Sequence, residues 1–224
     1  MADRVIAIGD IHGYSAALAA LVAAIDLRPE DTVVTLGDYV DRGPDSRGVL
    51  DQLIALSERC KLVPLLGNHD EMLLDIVSLR LFLLRGWLSF GGDATLASYG
   101  STNPKDIPEE HIAFLRNCVL WHESDGHFFV HASYAPRKPL KKQPAELLLW
   151  ESIRDDPPRP HRSGKVAIVG HTSQKNGEIL DLGHLKCIDT CVYGDGWLTA
   201  LEVNSGQVWQ ADKDGRMRGV GDEG

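Results

Sequence analysis

Three short apolar runs, Val5 to Ile8, Thr32 to Leu36 and Leu62 to Leu66, recur at similar intervals in the first third of the chain, each stopped by a glycine. Short β-branched or aliphatic runs ended by a turn residue predict strands buried on both faces. Amphipathic stretches follow them, over Tyr14 to Ile25, Ser46 to Ser57 and Glu71 to about Leu84, with apolar residues returning at helical spacing. Such alternation predicts parallel strands joined by helical crossovers. From Gly86 to Asn117 the pattern loosens into Gly, Ser, Thr and Pro, with one helix beginning near Pro108, where Glu109 and Glu110 suit a helix start. This stretch reads as an inserted cap. Beyond it come Phe128 to Val130, Lys165 to Val169, Leu185 to Ile188, Trp197 to Val203 and Gln207 to Gln210, mostly without helices between them. They predict a second, more antiparallel sheet. Residues 1–211 are expected to form one α/β domain with 86–117 as its cap, and the polar, Gly-rich end at 212–224 reads as a frayed, flexible tail.

Composition narrows the partners. With 224 residues and 43% hydrophobic content, the chain can bury the core of one sizeable domain. A net charge of -9 supplies no basic field for non-specific binding, so no nucleic-acid polymer is expected. The four cysteines, Cys60, Cys118, Cys187 and Cys191, lie in or beside apolar runs without paired spacing and read as buried free thiols. Met-Ala-Asp-Arg runs directly into the first strand, leaving no room for a cleavable signal, so a cytoplasmic location is expected. No apolar run reaches the length of a membrane span: Leu79 to Leu88 is interrupted by Arg80, Arg85 and Gly86 and reads as a helix in or against the core.

Chemistry gathers where the apolar runs stop. The first is followed by Gly-Asp10-Ile-His12-Gly, the second by Gly-Asp38-Tyr-Val-Asp41-Arg42-Gly and the third by Gly-Asn68-His69-Asp70. Two later runs end in histidine, at Val130-His131 and Gly170-His171-Thr. In open α/β sheets the crevice beyond the carboxyl ends of the strands collects ligands, so these side chains are delivered to one place. Asp10 and His12, two residues apart, would leave the same face of an extended strand end and grip one ion. Asp38 can bridge with its two oxygens, and Asn68, His131 and His171 can complete a second shell. The mixed nitrogen and oxygen set suits Mn, Fe or Zn more than Ca or Mg.

Two divalent ions about 3.5 to 4 Å apart lower the pKa of a bridging water and stabilise the attacking and leaving oxygens of an in-line displacement. Phosphate monoesters need both kinds of help. A seryl or threonyl alkoxide also leaves poorly unless it is protonated. His69 is the candidate general acid, with Asp41 accepting its other N–H and Arg42 offering a bidentate clamp on phosphoryl oxygens.

Taken in order, these motifs resemble the signature of the phosphoprotein phosphatase branch of the calcineurin-like metallophosphoesterases. The resemblance spans about Asp10 to Tyr193, and the segment from Trp87 to Gly100, with Gly91-Gly92 and Ser98-Tyr99-Gly100, is most similar to the bacterial and bacteriophage lambda-type serine/threonine protein phosphatases. It implies an αββα sandwich with two central mixed β-sheets flanked by helices. It also implies one metal held by Asp10, His12 and Asp38, a second by Asp38, Asn68, His131 and His171, and Asp41 with His69 as the acid pair. Arg42 and Asn68 would face the phosphate of a phosphoprotein or a phosphorylated small molecule, and manganese is the expected metal. Arg154, following Leu149-Trp150, stands where the family's other phosphate arginine would fall. Two departures stand out: Asp70 replaces the Glu of most protein phosphatases and resembles the symmetrical dinucleoside tetraphosphatases, and Cys191 follows Asp189-Thr190 where Gly is common. Those tetraphosphatases, the alternative reading together with a broad-specificity small-molecule phosphoesterase, generally lack an Asp at the position of Asp41.

Off the motifs, His111, His122, His127, His161 and His184 read as surface or packing residues, and Trp121, Trp150 and Trp197 as core. Arg137, Lys138, Lys141 and Lys142 read as a solvated loop.

Overall fold

A computed structural model describes residues 4–78 and 81–219. Strands β1 (Val5–Ile8), β2 (Thr32–Thr35) and β3 (Lys61–Pro64) pair in parallel, as the alternating pattern predicts. Their register places Ile8 beside Thr35 and Thr35 beside Pro64. The strands therefore end level, and the loops that follow start from one edge.

The second sheet holds β4 (Trp121–Glu123), β5 (His127–Val130), β6 (Val166–Val169), β7 (Leu180–Asp181) and β8 (Leu185–Cys187), in the order β4-β5-β6-β8-β7. Its centre departs from the antiparallel expectation, because β5, β6 and β8 run parallel and only the edge strands β4 and β7 are antiparallel. The crossovers between them are loops and one short helix, so no run of helical periodicity marked them. The last two strands, β9 (Leu198–Glu202) and β10 (Val208–Ala211), return to the first sheet instead, giving the order β10-β9-β1-β2-β3.

Helices α1 (Ser15–Ile25), α2 (Ser46–Ser57) and α3 (Asn68–Val77) pack on the outer face of the first sheet, where Leu18, Leu21, Leu50, Leu53 and Leu73 join Ile6, Ile8 and Val33 in one buried cluster. The middle segment contributes α4 (Leu84–Trp87), a buckled turn at Leu88–Gly92, α5 (Asp93–Ser98) and α6 (Glu109–Arg116); α7 (Ala145–Trp150) lies against the second sheet. Strand alternation sorts the second sheet's residues. Phe129 and Ile168 point inward to Ala7, Val34 and Leu36 of the first sheet, whereas Phe128, Val130, Ala167 and Val169 point outward to Tyr134, Leu140 and Leu148. Two mixed sheets face each other with helices outside.

Other expectations shift. Helix α3 starts at Asn68, not Glu71, because Asp70 reaches back to the Gly67 N–H at 3.0 Å and stabilises the first turn. It ends at Val77. The apolar stretch of residues 79–88 is not one core helix: residues 79 and 80 lie outside the described residues, Phe82 is 82% exposed, and Trp87 is buried. Trp150 is 41% exposed and not core. In the stretch expected to form a tail, Met217 bridges to Ala211 and Arg218 donates to Gln210 and Glu178, while residues 220–224 lie outside the described residues. Among the described residues no helix is long and apolar enough to cross a membrane.

Candidate active site

The level strand ends deliver their loops to one cleft, and the backbone there is unusual. His12, Asp38, Asp41, Arg42 and His171 all adopt positive φ, between 48° and 72°. Left-handed conformations at non-glycine residues cost on the order of 1–3 kcal/mol each and persist only where the surroundings impose them. His12 therefore joins the site from a tight turn, and the simple alternation of an extended strand does not place it.

Asp38 is the hub. Its Oδ2 lies 3.5 Å from His12 Nε2 and its Oδ1 3.5 Å from His131 Nε2. Two groups able to hold a metal share it: His12, Asp38 and His69, and Asp38, His131 and His171. Asn68 Oδ1 sits 3.0 Å from both His131 Nε2 and His171 Nδ1. Asp10 is buried beside them, with Oδ2 accepting the His171 N–H at 2.9 Å and Oδ1 lacking any donor.

The far ring nitrogens fix the tautomers. His131 Nδ1 faces the Leu36 carbonyl at 2.8 Å, His12 Nδ1 the Val40 carbonyl at 3.1 Å, and His171 Nε2 the Trp150 carbonyl at 3.1 Å. A carbonyl only accepts, so each of these nitrogens carries the hydrogen and each inner nitrogen presents a lone pair. The lone pairs of His131 and His171 thus point at an acceptor, Asn68 Oδ1, with no proton between them. Burial drives protons off these imidazoles: it holds His12 well below the usual histidine range, lowers His131, and with His131 beside it brings His171 to about 4. Burial, then Asp189 and Asp38, push the Asp10 carboxyl well above its ordinary range. Neutral imidazole lone pairs, an amide oxygen and crowded carboxylates converging in a buried space are what divalent cations satisfy.

On the other side, His69 Nδ1 donates to Asp41 Oδ2 at 2.8 Å. Asp41 is fully buried, and its carboxylate also accepts from Trp87 Nε1 at 2.9 and 3.1 Å and from Thr95 Oγ1 at 2.7 Å. The Arg42 guanidinium reaches both halves, donating to His12 Nε2 at 2.8 Å and His69 Nε2 at 3.0 Å, with its Cζ 4.2 Å above the Tyr193 ring. Arg154 joins from the exposed side, and its charge works against the raised Asp189 carboxyl. Its guanidinium donates to the Ser173 carbonyl at 3.2 Å, two residues beyond His171.

Trp87, Thr95, Tyr193 and Asp189 escape the sequence reading. Asp189 follows β8, and only the parallel pairing of Val169 with Cys187 ends β8 level with β6 and brings its following residues into the same crevice as His131 and His171. Burial raises its carboxyl to about 6. Asp70 lies beneath the cleft, fully buried, with Oδ2 accepting from Asp38 N (2.8 Å) and Gly67 N (3.0 Å) and Oδ1 from Tyr39 N (3.0 Å). It ties the β2 and β3 loops together.

Comparison with known proteins agrees with this geometry, since the model of the calcineurin-like phosphoesterase family matches residues 3–195. The chain belongs to the calcineurin-like phosphoesterases. It is thus a metallophosphoesterase hydrolase, of a family that uses a dinuclear metal centre. A symmetrical bis(5'-nucleosyl)-tetraphosphatase of Janthinobacterium sp. (strain Marseille) is 36% identical over 132 residues, which span 58% of this chain and 44% of that protein's length. Serine/threonine-protein phosphatase 1 of Salmonella typhimurium is 28% identical over 204 residues, 88% of this chain and 90% of the relative. Among solved structures, a cold-active protein-tyrosine phosphatase of a Shewanella species superposes with a TM-score of 0.65 at 19% identity, covering 97% of this chain and 80% of that one. That likeness shows the shared fold.

Proposed function

We propose that this phosphoesterase is a serine/threonine protein phosphatase, cleaving phosphate monoesters with His69 as general acid. The observation that carries this reading is the buried His69–Asp41 pair, 2.8 Å apart. A carboxylate behind the imidazole orients the ring, so that Nε2 is the nitrogen turned to the cleft and placed to hand a proton to the leaving oxygen. A seryl or threonyl oxygen needs that proton, whereas a nucleoside diphosphate departs as a stabilised anion and needs less.

In this reading Asp10, His12 and Asp38 would hold one ion and Asp38, Asn68, His131 and His171 the other, with manganese the expected metal. When bound there, such ions would supply a nucleophilic water at neutral pH and offset charge on the phosphoryl oxygens. Arg42, whose two prongs already reach two acceptors, turns the same fork on two phosphoryl oxygens. With Arg42 turned from His69 Nε2 to the phosphate, that nitrogen is free to carry the acid proton; water adds to phosphorus, the bond to the ester oxygen breaks, and the Nε2 proton ends on that oxygen, releasing inorganic phosphate, which keeps the water's protons, and the free hydroxyl. Arg154 acts at the rim, on the loop after His171.

The tetraphosphatase relative supports a second reading, symmetrical cleavage of a dinucleoside tetraphosphate. Asp70, the residue of that resemblance, spends both oxygens on backbone N–H groups and so supports loop geometry, not substrate choice. The test is kcat/KM of the manganese-loaded protein on a phosphothreonine peptide and on diadenosine tetraphosphate, with an Asp41→Asn control. Preference for the peptide, lost in the variant, is the expected result; preference for the dinucleotide overturns the reading.

A further inference from the structure

The middle segment sends two buried side chains to the Asp41 carboxylate. We infer that Trp87 and Thr95 are positioning residues for acid catalysis, bracing the Asp41 carboxylate and through it the His69 ring. The inference rests on the reading of His69 as general acid.

Asp41 Oδ2 takes both the His69 Nδ1 proton and the Trp87 indole N–H, while Oδ1 takes the Thr95 hydroxyl. Held by the imidazole alone, a carboxylate is free to rotate about its Cβ–Cγ bond. Fixed at both oxygens from a second direction, it presents one oxygen to the ring in one orientation. Thr95 braces the backbone as well, because its Oγ1 accepts the Asp41 N–H at 2.8 Å while donating to the Asp41 carboxylate. Asp41 sits there at φ 72°, a conformation that needs support from its surroundings.

The segment is shaped for this purpose. In a straight helix residues 87 and 95 would lie roughly 12 Å apart along the axis, too far to meet on one carboxylate. The chain buckles between them at Gly91, which adopts φ 104° inside a π-helical turn. A Cβ at Gly91 would fall 2.6 Å from the Arg42 amide nitrogen, and one at Gly92 would fall 2.3 Å from the Trp87 ring. The Gly91 carbonyl accepts the Arg42 N–H at 3.2 Å, so the same buckle supports the neighbouring arginine. Trp87 and Thr95 are both buried, and the indole N–H and the hydroxyl are both directed at the Asp41 carboxylate.

Trp87→Phe removes the N–H and keeps the ring packed; Thr95→Val removes the hydroxyl at nearly constant shape. Each is expected to lower kcat on a phosphothreonine peptide by about tenfold to a hundredfold, with KM little changed. With p-nitrophenyl phosphate, whose leaving group needs no proton, the loss should be a few-fold at most, and Thr95→Ser should restore peptide turnover. The hydrogen-bonded Nδ1 proton of His69, seen by NMR in the metal-free protein, should broaden or vanish in Trp87→Phe. His69→Asn is measured in parallel. If it shows no selectivity between the two substrates, the general-acid reading falls and this inference with it. If it shows selectivity while Trp87→Phe and Thr95→Val lose equally on both substrates or lose nothing, the brace alone is overturned. Should Trp87→Phe fail to fold, Thr95→Val with its Ser rescue decides.

Discussion

The two halves of the cleft are oriented by different means. Around Asp38, the rings of His12, His131 and His171 are set by backbone carbonyls of Val40, Leu36 and Trp150. Around Asp41, the ring of His69 is set by a carboxylate that side chains of a separate segment hold in place. Carbonyls are supplied by any chain that turns correctly at a strand end, so the metal half follows from where the strands stop. The half around His69, the acid half of the proposed reaction, depends on two particular side chains, 46 and 54 residues beyond Asp41, reaching the same carboxylate. The first half should tolerate little change at its hub, and the second should degrade selectively.

Removing the shared charge gives the largest expected effect. Asp38→Asn should lower kcat/KM by about 10³-fold or more on alkyl and aryl phosphates alike, because both candidate ion sites lose their common ligand. Metal content per chain, measured by elemental analysis after desalting, should fall with it. Full retention of metal in an inactive variant would break the contrast with the acid half, whose variants are expected to keep metal and lose only the alkyl substrate.

A subtler expectation concerns protons. In the metal-free protein burial raises the Asp189 carboxyl to about 6 and Asp10 well above its ordinary range, while His171, at about 4, is already neutral at pH 6. The raised carboxyls hold protons that a cation expels, and His171 has none to give. Metal binding at pH 6 should therefore release on the order of half a proton or more per chain, with the share from Asp189 declining by pH 8. Calorimetry in buffers of different ionisation enthalpy reads this directly. Proton uptake would reverse the sign and locate the titrating groups elsewhere.

The smallest effect belongs to Arg154. Its guanidinium is committed to the Ser173 carbonyl on the loop after His171. Arg154→Ala should raise KM a few-fold with kcat nearly unchanged, on the scale of one rim hydrogen bond. A loss in kcat comparable to that of Arg42→Ala would place it at the phosphoryl group.

The hydrophobic pattern and the residues closing each run determined a good deal by themselves. Parallel β1 to β3, helices α1 and α2, and the meeting of His12, Asp38, Asn68, His131 and His171 all follow from short buried strands that end level, because strand ends are local signals. The pairing of His69 with Asp41 was legible for the same reason. Tertiary structure decided the rest. Whether β8 runs parallel, and so delivers Asp189, depends on a loop crossover with no periodicity of its own. The return of β9 and β10 to the first sheet depends on which edge was open. Trp87 and Thr95 read as an apolar and a polar residue of a loosely patterned segment, and only the buckle at Gly91 brings both onto Asp41. A hydrogen bond between distant side chains leaves no trace in local spacing, because its geometry exists only once the intervening chain has packed.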